Sequence, residues 1–182
     1  MAAVKHLPNL ICLLRIALVW PTVLALQAGD YRHALLFFAI AAVSDGLDGY
    51  LAKRFNWTSR LGHFLDPFAD KLLLVSVFIT CAWVGLVPVW LATLAVGRDV
   101  MIGVGAIIFR LWLGPLHGRP TIVSKLNTGF QIACLIAIIL FKAYGFPPHE
   151  LFAALAVVTA ITTVLSGGDY LLQFIRRGWL PA

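Results

Sequence analysis

The stretch Ser44-Asp45-Gly46-Leu47-Asp48-Gly49-Tyr50-Leu51-Ala52-Lys53, followed by Gly62 and by Leu65-Asp66-Pro67-Phe68-Ala69-Asp70-Lys71, holds four of the eight acidic residues of the chain. Asp45 and Asp48 are three apart, and Asp66 and Asp70 are four apart. On a helix both spacings put the pair on one face. Apolar sequence flanks the stretch on both sides, and a carboxylate at membrane depth costs several kcal/mol unless compensated. Such residues mark a functional site. The plainer alternative, snorkelling acids or salt bridges with Lys53, Arg54 and Lys71, suits one or two acids better than four on two helix stripes.

Composition says what surrounds the stretch. The chain has 182 residues, 61% hydrophobic and 12% charged, with a mean hydropathy of +0.92. A water-soluble domain of this size cannot bury that much apolar side chain, so lipid is the expected solvent. A membrane helix needs about 20 apolar residues, and six would use roughly two-thirds of the chain. The reading is a single all-α domain over residues 1–182, a polytopic membrane protein with six transmembrane helices. Turn and charge signals predict them at about Pro8–Ala28, Tyr31–Ala52, Leu61–Leu86, Pro88–Leu113, Ile122–Tyr144 and His149–Phe174. Arg15 and Pro21 interrupt the first apolar run, which argues against a cleaved signal peptide.

Basic residues set the orientation. Eleven of the 14 Lys and Arg (Lys5, Arg15, Lys53, Arg54, Arg60, Lys71, Arg110, Arg119, Lys125, Arg176, Arg177) fall on one side, and Arg32 and Lys142 on the other, with Arg98 mid-helix. Both termini and the acidic stretch are therefore expected at the cytoplasmic face of an inner or cytoplasmic membrane. The net charge of +6 belongs to this asymmetry, and no nucleic-acid partner is expected. Cys12, Cys81 and Cys134 are far apart inside apolar runs and read as packing residues. The five histidines show no ligand spacing. The tryptophans with Tyr31, Tyr144 and Tyr170 lie near predicted helix ends, as an interfacial belt would.

A short basic loop makes the two acidic helices antiparallel neighbours, so their carboxylates can meet. Four carboxylates in one pocket repel each other unless a cation sits among them. Oxygen donors of this kind suit Mg²⁺, Mn²⁺ or Ca²⁺ rather than zinc. Two ions sharing carboxylates are a known arrangement for phosphoryl chemistry. Gly46, Gly49 and Gly62 would let a substrate approach the backbone, or let the helices pack closely.

In this form the stretch resembles the CDP-alcohol phosphatidyltransferase family, whose pattern is D-x2-D-G-x2-A-R, a gap, then G-x3-D-x3-D. The matching residues are Asp45, Asp48, Gly49, Ala52, Lys53, Gly62, Asp66 and Asp70, with lysine at the usual arginine. The resemblance implies that Asp45, Asp48, Asp66 and Asp70 bind Mg²⁺ or Mn²⁺ (two ions), that Asp70 is the general base, and that Gly49, Ala52, Lys53 and Gly62 hold the CDP moiety. It implies CDP-diacylglycerol as donor, a lipid or polyol-phosphate acceptor, CMP as product, and a homodimer. A membrane prenyltransferase or a cation transporter would also use acidic residues. The first has widely separated aspartate motifs, and the second spreads polar groups across the membrane depth.

The second half of the chain must select the acceptor. Arg98-Asp99 lies inside a predicted helix, as an ion pair or as a substrate contact. Arg110, Arg119 and Lys125 lie at the cytoplasmic end and could bind an acceptor phosphate, or serve only the positive-inside bias. The segment Ser124-Lys125-Leu126-Asn127-Thr128 resembles the eukaryotic-type cardiolipin synthases rather than the G-K-x-K-T of phosphatidylglycerophosphate synthases, as does Arg98-Asp99-Val100-Met101. Asn127 in place of lysine removes a cation, which suits phosphatidylglycerol over glycerol 3-phosphate.

Overall fold

The computed structural model describes the backbone of residues 7–55, 60–112 and 121–179, and the side chains of residues 11–44, 71–105 and 121–173. Among these residues there are six helices and no strand: α1 Leu7–Gln27, α2 Tyr31–Phe55, α3 Arg60–Trp83, α4 Val89–Trp112, α5 Ile122–Tyr144 and α6 His149–Trp179. The order and spacing match the six expected elements, and α5 matches residue for residue. Two stretches, Ile122–Tyr144 and His149–Gln173, are long and apolar enough to cross a membrane; the apolar segments Ile11–Gln27, Tyr31–Ser44 and Lys71–Trp83 are shorter.

Local chemistry fixes the helix ends. The Asp30 side chain caps α2 by accepting from His33 N–H at 3.2 Å. Thr121 does the same for α5 through Ser124 N–H at 3.2 Å, satisfying a donor that a helix start otherwise leaves open. Gly29, Gly85 and Gly145 take φ near +74°, the left-handed conformation that ends a helix cheaply only for glycine. Leu86 N–H then donates back to Cys81 C=O at 2.8 Å. This closure stops α3 at Trp83, short of the expected Leu86, because Gly85 acts before Pro88 does. At the other ends α2 and α6 run past Ala52 and Phe174, since their basic last turns continue the helix.

Helix α1 packs on α2 and α3, α5 on α2 and α6, and α4 on α3 and α6, with α3 also touching α5. Leu26, Phe38, Cys81, Leu86, Leu91, Ile139 and Phe152 belong to one buried cluster. They flank the turns at 28–30, 84–88 and 145–148, so all three turns share one end of the bundle. There the Arg32 guanidinium lies 5.3 Å from the centre of the Tyr144 ring, a cation–π contact. The second half of α2 and the first half of α3 therefore belong to the opposite end.

Candidate active site

The four aspartates take the helical positions expected of them. Asp45 and Asp48 lie in the second half of α2, and Asp66 and Asp70 in the first half of α3, at the end away from the three turns. Their side chains, and those of Gly49, Ala52, Lys53, Gly62 and Arg110, lie outside the described residues, as does the whole of Arg119. Among the described residues there is no cluster of three or more His, Cys, Asp or Glu able to hold a metal. The donor chemistry of the aspartate set, four carboxylates at one-face spacing on two helices, fits a hard divalent cation.

Directly after Asp70 the side chains can be followed. Lys71 Nζ on α3 donates to Asp99 Oδ1 on α4 at 2.8 Å, and Arg98 Nη1 donates to the same oxygen at 2.5 Å. Arg98 Nη2 reaches Ser124 Oγ on α5 and Ser166 Oγ on α6, each at 2.5 Å. The guanidinium also lies 6.0 Å from the centre of the Tyr170 ring. The Arg98 stem passes α6 beside Gly167, where an added Cβ would sit 3.8 Å from Arg98 Cγ. One buried carboxylate, two cations and two hydroxyls thus join α3, α4, α5 and α6.

The ion-pair alternative for Arg98-Asp99 is what the geometry displays. Arg98 and Asp99 are only 5% and 7% exposed, and both terminal nitrogens of the guanidinium are engaged by protein. Lys125, by contrast, is exposed one residue beyond Ser124. Tyr170 does not close its helix as a belt residue would; α6 continues to Trp179 and leaves Tyr170 under the Arg98 guanidinium.

Asn127 lies deeper, fully buried between α5 and α6. Its Oδ1 accepts from Thr162 Oγ1 and Thr163 Oγ1, both at 2.8 Å. One turn further, Gln131 is buried as well, and Thr159 Oγ1 donates to Phe130 C=O at 3.2 Å. The polar positions form stripes at helical spacing, Ser124-Asn127-Gln131 on α5 and Thr159-Thr163-Ser166 on α6. That spacing was available in the sequence as a signal for Ser124, Ser166 and the threonines, none of which stands out singly. The pairing of Lys71 with Asp99, 28 residues away, has no such local signal.

The family model for CDP-alcohol phosphatidyltransferases matches residues 5–165. The chain belongs to this family. Over 186 residues it is 30% identical to a probable cardiolipin synthase (CMP-forming) of Drosophila melanogaster, covering 93% of this chain and 58% of that protein. It is 29% identical over 180 residues to cardiolipin synthase (CMP-forming) of Homo sapiens, covering 90% of this chain and 60% of that protein. The chain thus spans less than two thirds of the length of these family members. A third relative, the CDP-diacylglycerol–glycerol-3-phosphate 3-phosphatidyltransferase of Bacillus subtilis, is 32% identical over 196 residues, covering 91% of this chain and 93% of that protein. The acidic stretch, residues 45–70, lies inside the matched region.

Proposed function

We propose that this protein transfers a phosphatidyl group from CDP-diacylglycerol to an alcohol, releasing CMP, with phosphatidylglycerol as acceptor and cardiolipin as product. The observation that carries the class is the eight-position aspartate motif on α2 and α3 of a chain of this family. The acceptor hydroxyl attacks the lipid-linked phosphorus, the bond to the CMP oxygen breaks, and Asp70 takes the hydroxyl proton. Gly49, Ala52, Lys53 and Gly62 hold the CDP moiety. Mg²⁺ or Mn²⁺ held by Asp45, Asp48, Asp66 and Asp70 would neutralise the diphosphate and the leaving group.

All six helices span the membrane in this reading, with the site and both termini at the cytoplasmic face and the whole chain acting as one domain in a homodimer. Outward apolar side chains on several helices support a lipid solvent: Val43 is 61% exposed, Ile79 51% and Val164 60%. Exposed apolar faces of this kind suit acyl chains better than water.

For the acceptor, Arg98, Arg110, Arg119, Lys125 and Asn127 form the candidate set. Among its described members Lys125 is the exposed cation and a natural partner of a lipid phosphate, whereas Arg98 and Asn127 act from behind it. The neutral Asn127 and the names of the animal relatives favour phosphatidylglycerol. Glycerol 3-phosphate is the second reading, favoured by the Bacillus subtilis relative, which this chain matches over nearly its full length. Purified protein supplied with CDP-diacylglycerol, Mg²⁺ and each acceptor in parallel tests both. Cardiolipin formed only from phosphatidylglycerol supports the first reading, and phosphatidylglycerophosphate supports the second. Absence of CMP with every acceptor overturns the class.

A further inference from the structure

A buried cation is expensive in lipid, and a chain that places one, Arg98, with a second, half-buried cation, Lys71, on one buried carboxylate must gain something by it. In this bundle Asp99 is shared by Lys71 at 2.8 Å and Arg98 at 2.5 Å. Arg98 spends its second terminal nitrogen on Ser124 and Ser166. Two of these contacts land beside candidate site residues: Lys71 follows Asp70 on α3, and Ser124 precedes Lys125 on α5. Direct packing between α3 and α5 is slight compared with that of either helix on its other neighbours. The polar bridge through α4 therefore adds a directional link between them that apolar packing does not supply.

We propose that Arg98 and Asp99 are positioning residues for the transfer reaction. They set the register of α3, and so of Asp66 and Asp70, against that of α5, and so of Lys125. The donor-activating and acceptor-holding halves of the site then stay at a fixed spacing. This rests on the reading of Asp66, Asp70 and Lys125 given above. It assigns the Arg98 guanidinium to the protein frame rather than to an acceptor phosphate, since its terminal nitrogens are already bonded and its side chain is 3% exposed.

The test uses the full chain in detergent or nanodiscs, with Asp99→Asn, Asp99→Glu, Arg98→Lys and the double variant Ser124→Ala/Ser166→Ala. Asp99→Asn should lower kcat about 10- to 100-fold, the usual range for residues that orient a site's ligands from behind. The KM for CDP-diacylglycerol should change far less. Asp99→Glu should recover part of the loss. Arg98→Lys keeps the charge toward Asp99 but cannot fork to both serines, so it should fall between wild type and Asp99→Asn. The double serine variant removes only two hydrogen bonds and guards against a result that reflects misfolding.

A second readout is independent of turnover. Spin labels at Leu72 on α3, partly exposed beside Lys71, and Leu126 on α5, 55% exposed, report the distance between these helices, the native cysteines being buried. Asp99→Asn and the serine variant should broaden or shift that distance. If both variants stay folded with unchanged kcat, or with an unchanged label distance, the positioning role is overturned. A rise in acceptor KM alone, at constant kcat, would instead make Arg98 an acceptor ligand and also overturns it. Wild-type protein that releases no CMP refutes the proposed function, and the label distance still decides the positioning claim.

Discussion

The ammonium of Lys71 sits 2.8 Å from the carboxylate of Asp99, so the helix of Asp66 and Asp70 is tied to α4 one residue past Asp70. The pair is asymmetric: the Lys71 side chain is 35% exposed and that of Asp99 4%. Lys71 keeps partial contact with its surroundings, and Asp99 retains Arg98 when Lys71 is removed. Lys71→Met should therefore destabilise by about 1–3 kcal/mol, between the values for exposed and buried pairs. Asp99→Asn should cost more, because it leaves the buried Arg98 guanidinium without its counter-ion. Thermal unfolding in detergent, run as a double-mutant cycle, checks both the order and the coupling.

Asp70→Asn should leave the protein folded and reduce CMP release by about 10²- to 10⁴-fold, the span typical of a general base. Asp45→Asn and Asp66→Asn should instead move the Mg²⁺ dependence to higher concentration. Single-turnover assays over a Mg²⁺ titration separate the two behaviours. An unchanged titration in the latter pair would remove them from the ligand set.

Asn127 offers one acceptor oxygen to two threonine hydroxyls at 2.8 Å. Asn127→Ala should lower stability by roughly 1 kcal/mol, in line with hydrogen bonds between helices in membranes. Asn127→Lys places an ammonium at a site with no exposure and should cost considerably more. If that variant folds, a shift of product toward phosphatidylglycerophosphate would tie the position to acceptor choice. An unchanged product ratio would confine Asn127 to helix packing.

The fold was legible because its signals are local. Pro and Gly punctuation and helix-length apolar runs are each read within a few residues, and for α5 they give the ends that the structure shows. The expected end of α3 at Leu86 differs from the observed Trp83 because Gly85 closes the helix ahead of Pro88. The aspartates stand out for the opposite reason, as carboxylates set within apolar sequence, and their role as a site rests on the proposed function. The bridge from Lys71 to Asp99 was not legible. Alternatives for each charge existed nearby in sequence, and only the packing of α3 on α4 selects among them. Serine and threonine were overlooked because single hydroxyls are cheap in a helix, where they bond the preceding turn, as Thr22 does to Leu18 C=O at 2.7 Å.

The cap at Asp30 carries a pH prediction. Hydrogen bonds from the His33 side chain and backbone hold the exposed Asp30 carboxyl below its ordinary value of 3.8. A carboxyl that titrates lower when folded adds stability above the unfolded value and loses it as the pH falls through the folded one. Asp30→Ala should lower the melting temperature by a few degrees at neutral pH. The difference from wild type should vanish in strong acid. Melting curves across that range check it, and a difference that persists undiminished would remove the carboxylate from the explanation.

The gathering of the three turns at one end, with the buried cluster that flanks them, makes each helix a lever pivoted there. Helix α3, with 24 residues, is about 36 Å long at 1.5 Å per residue. A tilt of under about 2° at the pivot then moves its far end by roughly 1 Å, and an error of that size in catalytic geometry can cost about a hundredfold in rate. The bond from Lys71 to Asp99 holds α3 about 18 Å from its turn end, at 1.5 Å per residue. A brace halfway along the lever resists such rotations with less force than one beside the pivot.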